Sequence, residues 1–158
     1  MDIAKLIRQI ACAICQGTQK SKPQIELLST TSMIAYVELK DRGIECLRGG
    51  FMLDTHEPYY YTKAEDWAEV FDYIYFAFNM PSYIAARMDC DDFAIWMKGL
   101  VAGCFGLNYF AIIYGTTPMG YHSWNLFKTD NGLVQFEPQT GKFFGLDEKS
   151  YKPEYVLL

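Results

Sequence analysis

Apolar residues recur at helical spacing in the first part of the chain. Over Ile3–Cys15 they repeat at the i, i+3, i+4 and i+7 positions of one helix face, which predicts an amphipathic helix. A polar loop follows as far as Pro23. The segment Met33–Leu39 fits a helix or a strand, and Gly49-Gly50 breaks whatever precedes it.

Two stronger helical patterns lie in the middle of the chain. The first opens with the capping-box pattern Thr62-x-x-Glu65 and ends before Pro81. Its apolar stripe consists of Trp67, Val70, Phe71, Ile74 and Phe78. The second is predicted to begin near Asp89, whose carboxylate can accept hydrogen bonds from the first turn, and to end by Gly106.

Three β-prone runs follow the helices. They are Tyr109–Tyr114, His122–Phe127 and Leu133–Glu137, and the last two are separated by the hairpin signal Thr129-Asp130-Asn131-Gly132. Helices followed by an antiparallel meander indicate an α+β fold, with N-terminal helices and a small antiparallel sheet. A chain of 158 residues with 51% apolar residues is expected to form one domain over 1–158.

The net charge, the length of the apolar runs and the number of cysteines exclude several classes of partner and location. The net charge of −5 argues against a nucleic-acid partner. Nothing approaches the apolar length of a membrane span, and Lys5 and Arg8 within the first apolar stretch do not suit a signal peptide. An odd count of five cysteines favours a reducing compartment over a disulfide framework, so a cytoplasmic location is expected. The sequence does not indicate an oligomeric state.

Metal and cofactor sites are not indicated by the motifs. Cys12-x-x-Cys15 falls inside a helical pattern and has no second pair at matching spacing, so small apolar helix residues explain it. Cys90, Asp91, Asp92 and His122 are imaginable metal ligands, but consecutive helix residues are expected to diverge. We therefore expect no metal and no cofactor.

Cys90 is a candidate nucleophile because it is predicted to lie in the first turn of a helix. Aligned N–H groups at a helix start stabilise a thiolate, which is the reactive form of cysteine. Asp89, Asp91 and Asp92 would oppose this effect if they pointed at the sulfur. A buried structural cysteine is the alternative interpretation.

His122 and Glu137 are predicted to be neighbours. If Asp130-Asn131 is a two-residue hairpin loop, the residue numbers of each cross-strand pair sum to 261, which puts Trp124 opposite Glu137. His122, two residues before Trp124, is then the diagonal neighbour of Glu137 on the same face of the sheet. The carboxylate could then orient the imidazole, as the third member of a catalytic triad does. A core histidine and an exposed carboxylate at the end of a strand are the alternatives.

Three motifs taken together resemble a known family. Asp-Cys-Asp-Asp-Phe-Ala at 89–94, His-x-Trp at 122–124 and Glu-Pro at 137–138 are similar to the transglutaminase-like cysteine hydrolases, relatives of papain-type enzymes. Met88 stands where that family usually has glycine, and Glu137 where it more often has aspartate. The segment 137–141 resembles segments of small bacterial and phage proteins. The resemblance implies a transglutaminase-like, papain-like core over 62–141, with 1–60 as an N-terminal elaboration.

The resemblance also implies an activity. Cys90 would attack a carboxamide carbonyl, His122 would act as general base and acid, and Glu137 would orient His122, so that the protein would be a thiol-dependent acyl-transfer enzyme. A peptide or protein would be the substrate of such a peptidase or amidase. Two alternatives remain at this point: a transglutaminase or acyltransferase with an amine acceptor, and a non-catalytic interaction module that retains the fold.

Overall fold

A computed structural model describes residues 21–46 and 58–158. The predicted helix over Ile3–Cys15, the Cys12-x-x-Cys15 motif and Gly49-Gly50 lie outside the described residues. Within the described part there are three helices, α1 (Ser32–Asp41), α2 (Ala64–Ala77) and α3 (Cys90–Phe105). The ambiguous segment Met33–Leu39 is therefore helical.

Eight strands form two sheets within the described part. They are β1 (Leu28–Thr30), β2 (Glu45–Cys46), β3 (Tyr59–Tyr61), β4 (Phe110–Thr117), β5 (Gly120–Thr129), β6 (Gly132–Glu137), β7 (Lys142–Phe144) and β8 (Lys152–Leu157). β1 and β3 form a two-stranded sheet. The others form a six-stranded sheet in the order β2-β8-β4-β5-β6-β7, in which β2 runs parallel to β8 and the other neighbours are antiparallel.

The predicted arrangement of N-terminal helices followed by a small antiparallel sheet is wrong. The main sheet is large and mixed, and it takes strands from both ends of the described chain. β2 has two residues, and β8 contains Pro153 and pairs with β2 across more than a hundred positions. Neither strand carries a local signal of this pairing, because periodicity and turn residues report only on sequence neighbours.

The two central helices follow their predicted patterns, and only the cap of α2 differs from the predicted one. Lys63, not Thr62, is the N-cap of α2, so the predicted capping box does not form. The Thr62 hydroxyl instead lies 2.7 Å from an Asp66 carboxylate oxygen. α3 begins at Cys90 with Asp89 as N-cap, and the Asp89 backbone N–H donates to Asp92 Oδ2 over 3.2 Å. It ends at Gly106, whose φ of 73° is the left-handed conformation that glycine adopts freely.

Strand alternation divides the buried side chains between the two faces of the sheet. On one face, aromatic residues of β4, β5 and β6 pack against α2 and α3; these are Phe110, Phe127 and Phe136. On the other face, Trp124 and Leu126 of β5 pack with Leu39 of α1. Because successive residues of a strand point to opposite faces, one sequence run supplies both layers of core.

The β5–β6 hairpin forms in the predicted register. Asn125 pairs with Phe136 and Thr129 with Gly132, so paired positions sum to 261 and Asp130-Asn131 forms the loop. The run Leu133–Glu137 belongs to β6, and the turn after it leads into β7. This register places His122 and Glu137 together at one end of the sheet.

Candidate functional site

His122 and Glu137 are in direct contact. Nε2 of the imidazole lies 2.6 Å from Oε2 of the carboxylate. The His122 ring is stacked on Trp124, with ring centroids 5.9 Å apart. The Tyr151 hydroxyl, 3.4 Å away, donates to the same carboxylate oxygen. The predicted pairing of these two residues is confirmed, and Glu137 is buried rather than exposed at the end of its strand.

The second Glu137 oxygen holds the chain that follows β6. Oε1 accepts a hydrogen bond from the Gln139 backbone N–H over 3.1 Å. The Glu137 carbonyl oxygen also accepts from the backbone N–H groups of Thr140 and Gly141, at 3.3 and 2.8 Å. One residue therefore fixes the β6–β7 turn by its side chain and by its backbone.

Cys90 lies at the start of α3, but its thiol does not have the predicted character. Burial raises the pKa of Cys90, and the negative charges of Asp89 and Asp91 also raise it. A hydrogen bond from the Ser123 backbone acts in the opposite direction and does not compensate. The helix start was expected to favour the thiolate, but desolvation outweighs that effect here.

The nucleophile and the base of the predicted triad are not joined. The thiol lies beside the segment that carries His122, since the Ser123 backbone is close enough to lower its pKa. Within residues 21–46 and 58–158, however, no hydrogen bond connects the Cys90 thiol to the His122 imidazole. Of the three predicted residues, the structure thus pairs His122 with Glu137 and leaves Cys90 outside that pair.

Asp89, Cys90 and Asp91 bring possible ligand atoms together, although consecutive helix residues such as Cys90 and Asp91 were expected to diverge. One possible ligand atom from each lies within 4.8 Å of the others. The carboxyls of Asp89 and Asp91 share a hydrogen bond, which raises the pKa of Asp89. Acidic groups at the start of a helix satisfy its N–H groups, so this cluster has a structural explanation without an ion.

A cavity of about 720 Å³ lies beside the β6–β7 turn, between that turn, α2 and the start of α3. Its apolar wall comprises Ala68, Phe71, Met80, Pro81, Phe93 and Phe143. Its hydrogen-bonding groups belong to Asp72, Tyr75, Tyr83, Gln139 and Thr140. Tyr83 is 61% exposed and Phe143 is 49% exposed, so aromatic rings stand at the mouth.

The sequence did not single out this cavity as a binding site. Asp72 and Tyr75 lie on α2, Tyr83 lies in the connection between α2 and α3, and Gln139 lies in a turn. These residues come from separate elements and share no spacing motif. The one signal in the sequence was Tyr83, an aromatic residue two positions after Pro81. Aromatic residues in loops are too common to identify a site.

Comparisons with known proteins find similarity of fold only. No family model matches the sequence, and no curated protein matches it. One similar solved structure is described as a complex of PSL1a with E64; it has a TM-score of 0.64 and 20% identity, over 83% of this chain and 50% of that one. Another is a Polyporus squamosus lectin bound to Neu5Aca2-6Galb1-4GlcNAc, with a TM-score of 0.59, 20% identity and the same coverage. This chain thus spans about half the length of each.

The likeness to a lectin structure contradicts the family expected from the motifs. The chain is not assigned to the transglutaminase-like cysteine hydrolases or to their papain-like core, nor to bacterial or phage members of that family. The same finding overturns the predicted acyl-transfer activity on a peptide or protein substrate. It also overturns the two alternatives, a transglutaminase or acyltransferase with an amine acceptor and a non-catalytic module with the transglutaminase-like fold. The raised pKa of the Cys90 thiol is the physical reason against an activated nucleophile.

The membrane question has a partial answer. Within residues 21–46 and 58–158, no helix has both the length and the apolar character needed to cross a bilayer.

Proposed function

We propose that this protein binds a carbohydrate in the cavity between α2, α3 and the β6–β7 turn. The observation that carries the proposal is the composition of the cavity: aromatic rings at an open mouth, with carboxylate, amide and hydroxyl groups close by. A sugar ring presents C–H groups that pack on an aromatic face, and hydroxyl groups that both donate and accept hydrogen bonds.

The dimensions of the cavity support a small ligand. Its volume of about 720 Å³ falls within the range of roughly 300–1,000 Å³ found for small-molecule sites. Two of the lining side chains, Phe71 and Phe93, are buried and packed in the core. The part of the cavity that these two rings line is fixed by the fold and does not depend on the ligand.

The turn that forms one wall is also fixed in advance. Gln139 is held through its backbone N–H by the buried Glu137 carboxylate, so its side-chain amide starts from a defined position. Preorganised hydrogen-bonding groups bind a ligand with a smaller loss of entropy than mobile ones. The lectin named above binds a trisaccharide, and the shared fold supports the same ligand class for this chain.

The test is a glycan array followed by calorimetric titration of the best ligand. Tyr83→Ala removes an aromatic platform at the mouth, and we expect at least about a tenfold loss of affinity, since a lost aromatic contact commonly costs more than 1 kcal/mol. Tyr121→Ala is the matched control, because Tyr121 is equally exposed at 61% and does not line the cavity. Absence of any glycan ligand, or equal losses in the two variants, would overturn the proposal.

A further inference from the structure

The aromatic residues that line the cavity differ in exposure, and the difference separates a deep end from the mouth. Phe71 and Phe93 are buried, whereas Tyr83 and Phe143 are exposed. The centroids of the Phe71 and Phe143 rings lie 5.2 Å apart, so the deep end begins one ring below the mouth. A ligand that enters therefore meets exposed aromatic rings first and a covered apolar wall behind them.

The deep end suits a small apolar group and not a hydroxyl. A sugar hydroxyl placed against Phe71 or Phe93 would lose its hydrogen bonds to water and gain none from these rings, which costs free energy. A methyl group loses no hydrogen bond there and gains from its burial. A sugar ring carries hydroxyls on most of its carbons. We therefore expect the ring to stay at the mouth, while a side group with an apolar end enters the deep end.

Two polar groups on the cavity wall can hold an amide. The Tyr75 hydroxyl donates to the Pro138 carbonyl oxygen over 2.9 Å, so its proton is committed and its oxygen offers a lone pair. Gln139, the next residue after Pro138, is exposed, and its contact with Glu137 uses its backbone N–H and not its side chain. An amide brings one N–H donor and one carbonyl acceptor. The Tyr75 oxygen can accept from the first, and the Gln139 side-chain amide can donate to the second.

From these two features we propose that the cavity binds the acetamido group of an N-acetylated sugar, with the acetyl methyl against Phe71 and Phe93 and the sugar ring on Tyr83 at the mouth. The inference rests on the carbohydrate-binding function proposed above and specifies its ligand class. An acetamido group meets both requirements of the wall, because its amide lies between a sugar carbon and a methyl group. A free amine lacks the methyl and the carbonyl, and a hydroxyl also brings an unmatched polar group to the deep end.

The experiment compares matched saccharides by calorimetry on the full chain. Chitotriose and cellotriose differ only by acetamido groups in place of the hydroxyls at C2, and the methyl glycosides of N-acetylgalactosamine and galactose differ in the same way. We expect the acetamido member of at least one pair to bind at least about tenfold more tightly than its partner, because a buried methyl group and a hydrogen bond together contribute at least that factor.

Gln139→Ala tests the origin of the selectivity. The variant keeps the backbone N–H that Glu137 holds, and it should lower the affinity ratio within the selective pair at least about threefold. Gln24→Ala, which is exposed and outside the cavity lining, should leave the ratio unchanged. Equal affinities within both pairs, glycan binding confined to sugars without an acetamido group, or a ratio unaffected by Gln139→Ala overturns this inference and leaves the binding function standing. Failure to bind any glycan overturns both.

Discussion

His122 Nε2 lies 2.6 Å from Glu137 Oε2, and this contact joins two neighbouring strands at the edge of the candidate binding site. The same carboxylate holds the Gln139 backbone through its other oxygen, so the pair controls the turn that walls the cavity. Neither His122 nor Glu137 lines the cavity itself. We therefore interpret them as positioning residues for the turn.

Glu137→Ala should weaken both the fold and glycan binding. The substitution leaves the Gln139 N–H without its acceptor and removes the carboxylate from His122, at a cost of about 2–3 kcal/mol in the free energy of unfolding. Glycan affinity should fall about tenfold because the turn is no longer fixed. Glu148→Ala is the control, since Glu148 accepts from the Ser150 N–H in an exposed turn away from the cavity. Chemical denaturation and calorimetry measure the two effects, and equal results for both variants would contradict the positioning role.

Gly115→Ala should be strongly destabilising. A Cβ at this position would lie 2.1 Å from the Lys152 carbonyl oxygen and 2.8 Å from the Trp124 ring. It would therefore push β8 away from β4 at the irregular step between Tyr114 and Gly115. We expect a loss of about 2–3 kcal/mol, or failure to fold. Gly99→Ala is the contrast, because nothing lies within 4 Å of its added Cβ in α3 and helix propensity favours alanine by roughly 0.5–1 kcal/mol. Equal urea midpoints for the two variants would show that the close approach is absent.

Lys98 should make stability depend on pH. Burial lowers the pKa of its amine to about 8, and the amine donates to the Phe110 carbonyl oxygen over 2.6 Å. In the unfolded chain its pKa is 10.5, so between pH 8 and 10.5 the unfolded state binds more protons and the folded state gains stability as pH rises. From pH 7 to 9 this gain is about 1 kcal/mol. Below pH 8 Lys98 is protonated in both the folded and the unfolded state. The folded state then carries the full desolvation cost of the buried charge.

Lys98→Met isolates that contribution. The variant should lack the gain between pH 7 and 9, whereas the exposed Lys142→Met should keep it. Urea unfolding at the two pH values measures the difference. A wild-type gain that persists in Lys98→Met would assign the pH dependence to other groups.

Asn125→Leu should loosen the packing of α3 on the sheet. The buried Asn125 amide donates to the Ala94 carbonyl oxygen in α3 and to the Ala111 carbonyl oxygen in β4, at 3.0 and 3.1 Å. Leucine has a similar size and removes both side-chain hydrogen bonds, so we expect a loss of about 1–2 kcal/mol. The exposed Asn79→Leu should change stability by less than about 0.5 kcal/mol. Thermal unfolding of the two variants checks the difference.

Cys90 should alkylate slowly at neutral pH. Burial and the charges of Asp89 and Asp91 hold its pKa above the ordinary value, so little thiolate is present. Peptide mapping after treatment with iodoacetamide at several pH values measures the rate at this one residue. Rapid reaction below pH 7 that is lost in His122→Ala would contradict the structure and demonstrate an ion pair between thiolate and imidazole.

Local features of the fold could be predicted from the sequence. The β5–β6 hairpin register follows from two loop residues and strand alternation, and it correctly places His122 beside Glu137. The start of α3 follows from Asp89 as a cap. Each of these depends on residues close together in the chain, where turn and cap chemistry decide the backbone conformation.

Features that depend on distant residues could not be predicted in this way. The pairing of β2 with β8 and the close approach at Gly115 arise only after the sheet is assembled. The pKa of Cys90 was predicted in the wrong direction for the same reason, because its desolvation is produced by tertiary packing and outweighs the local effect of the helix start. The cavity combines α2, α3 and a turn, so its composition is visible only in three dimensions.

The position of β8 has a consequence for how the chain folds during synthesis. β8 lies between β2 and β4, and its residues 152–157 leave the ribosome more than a hundred residues after those of β2. Until then β2 has no partner in the main sheet and β4 has a bare edge, which is the kind of surface that pairs with other chains. A nascent chain stalled before residue 152 should therefore need chaperones, and folding of the released protein should be slow for its size because its sheet closes through distant contacts.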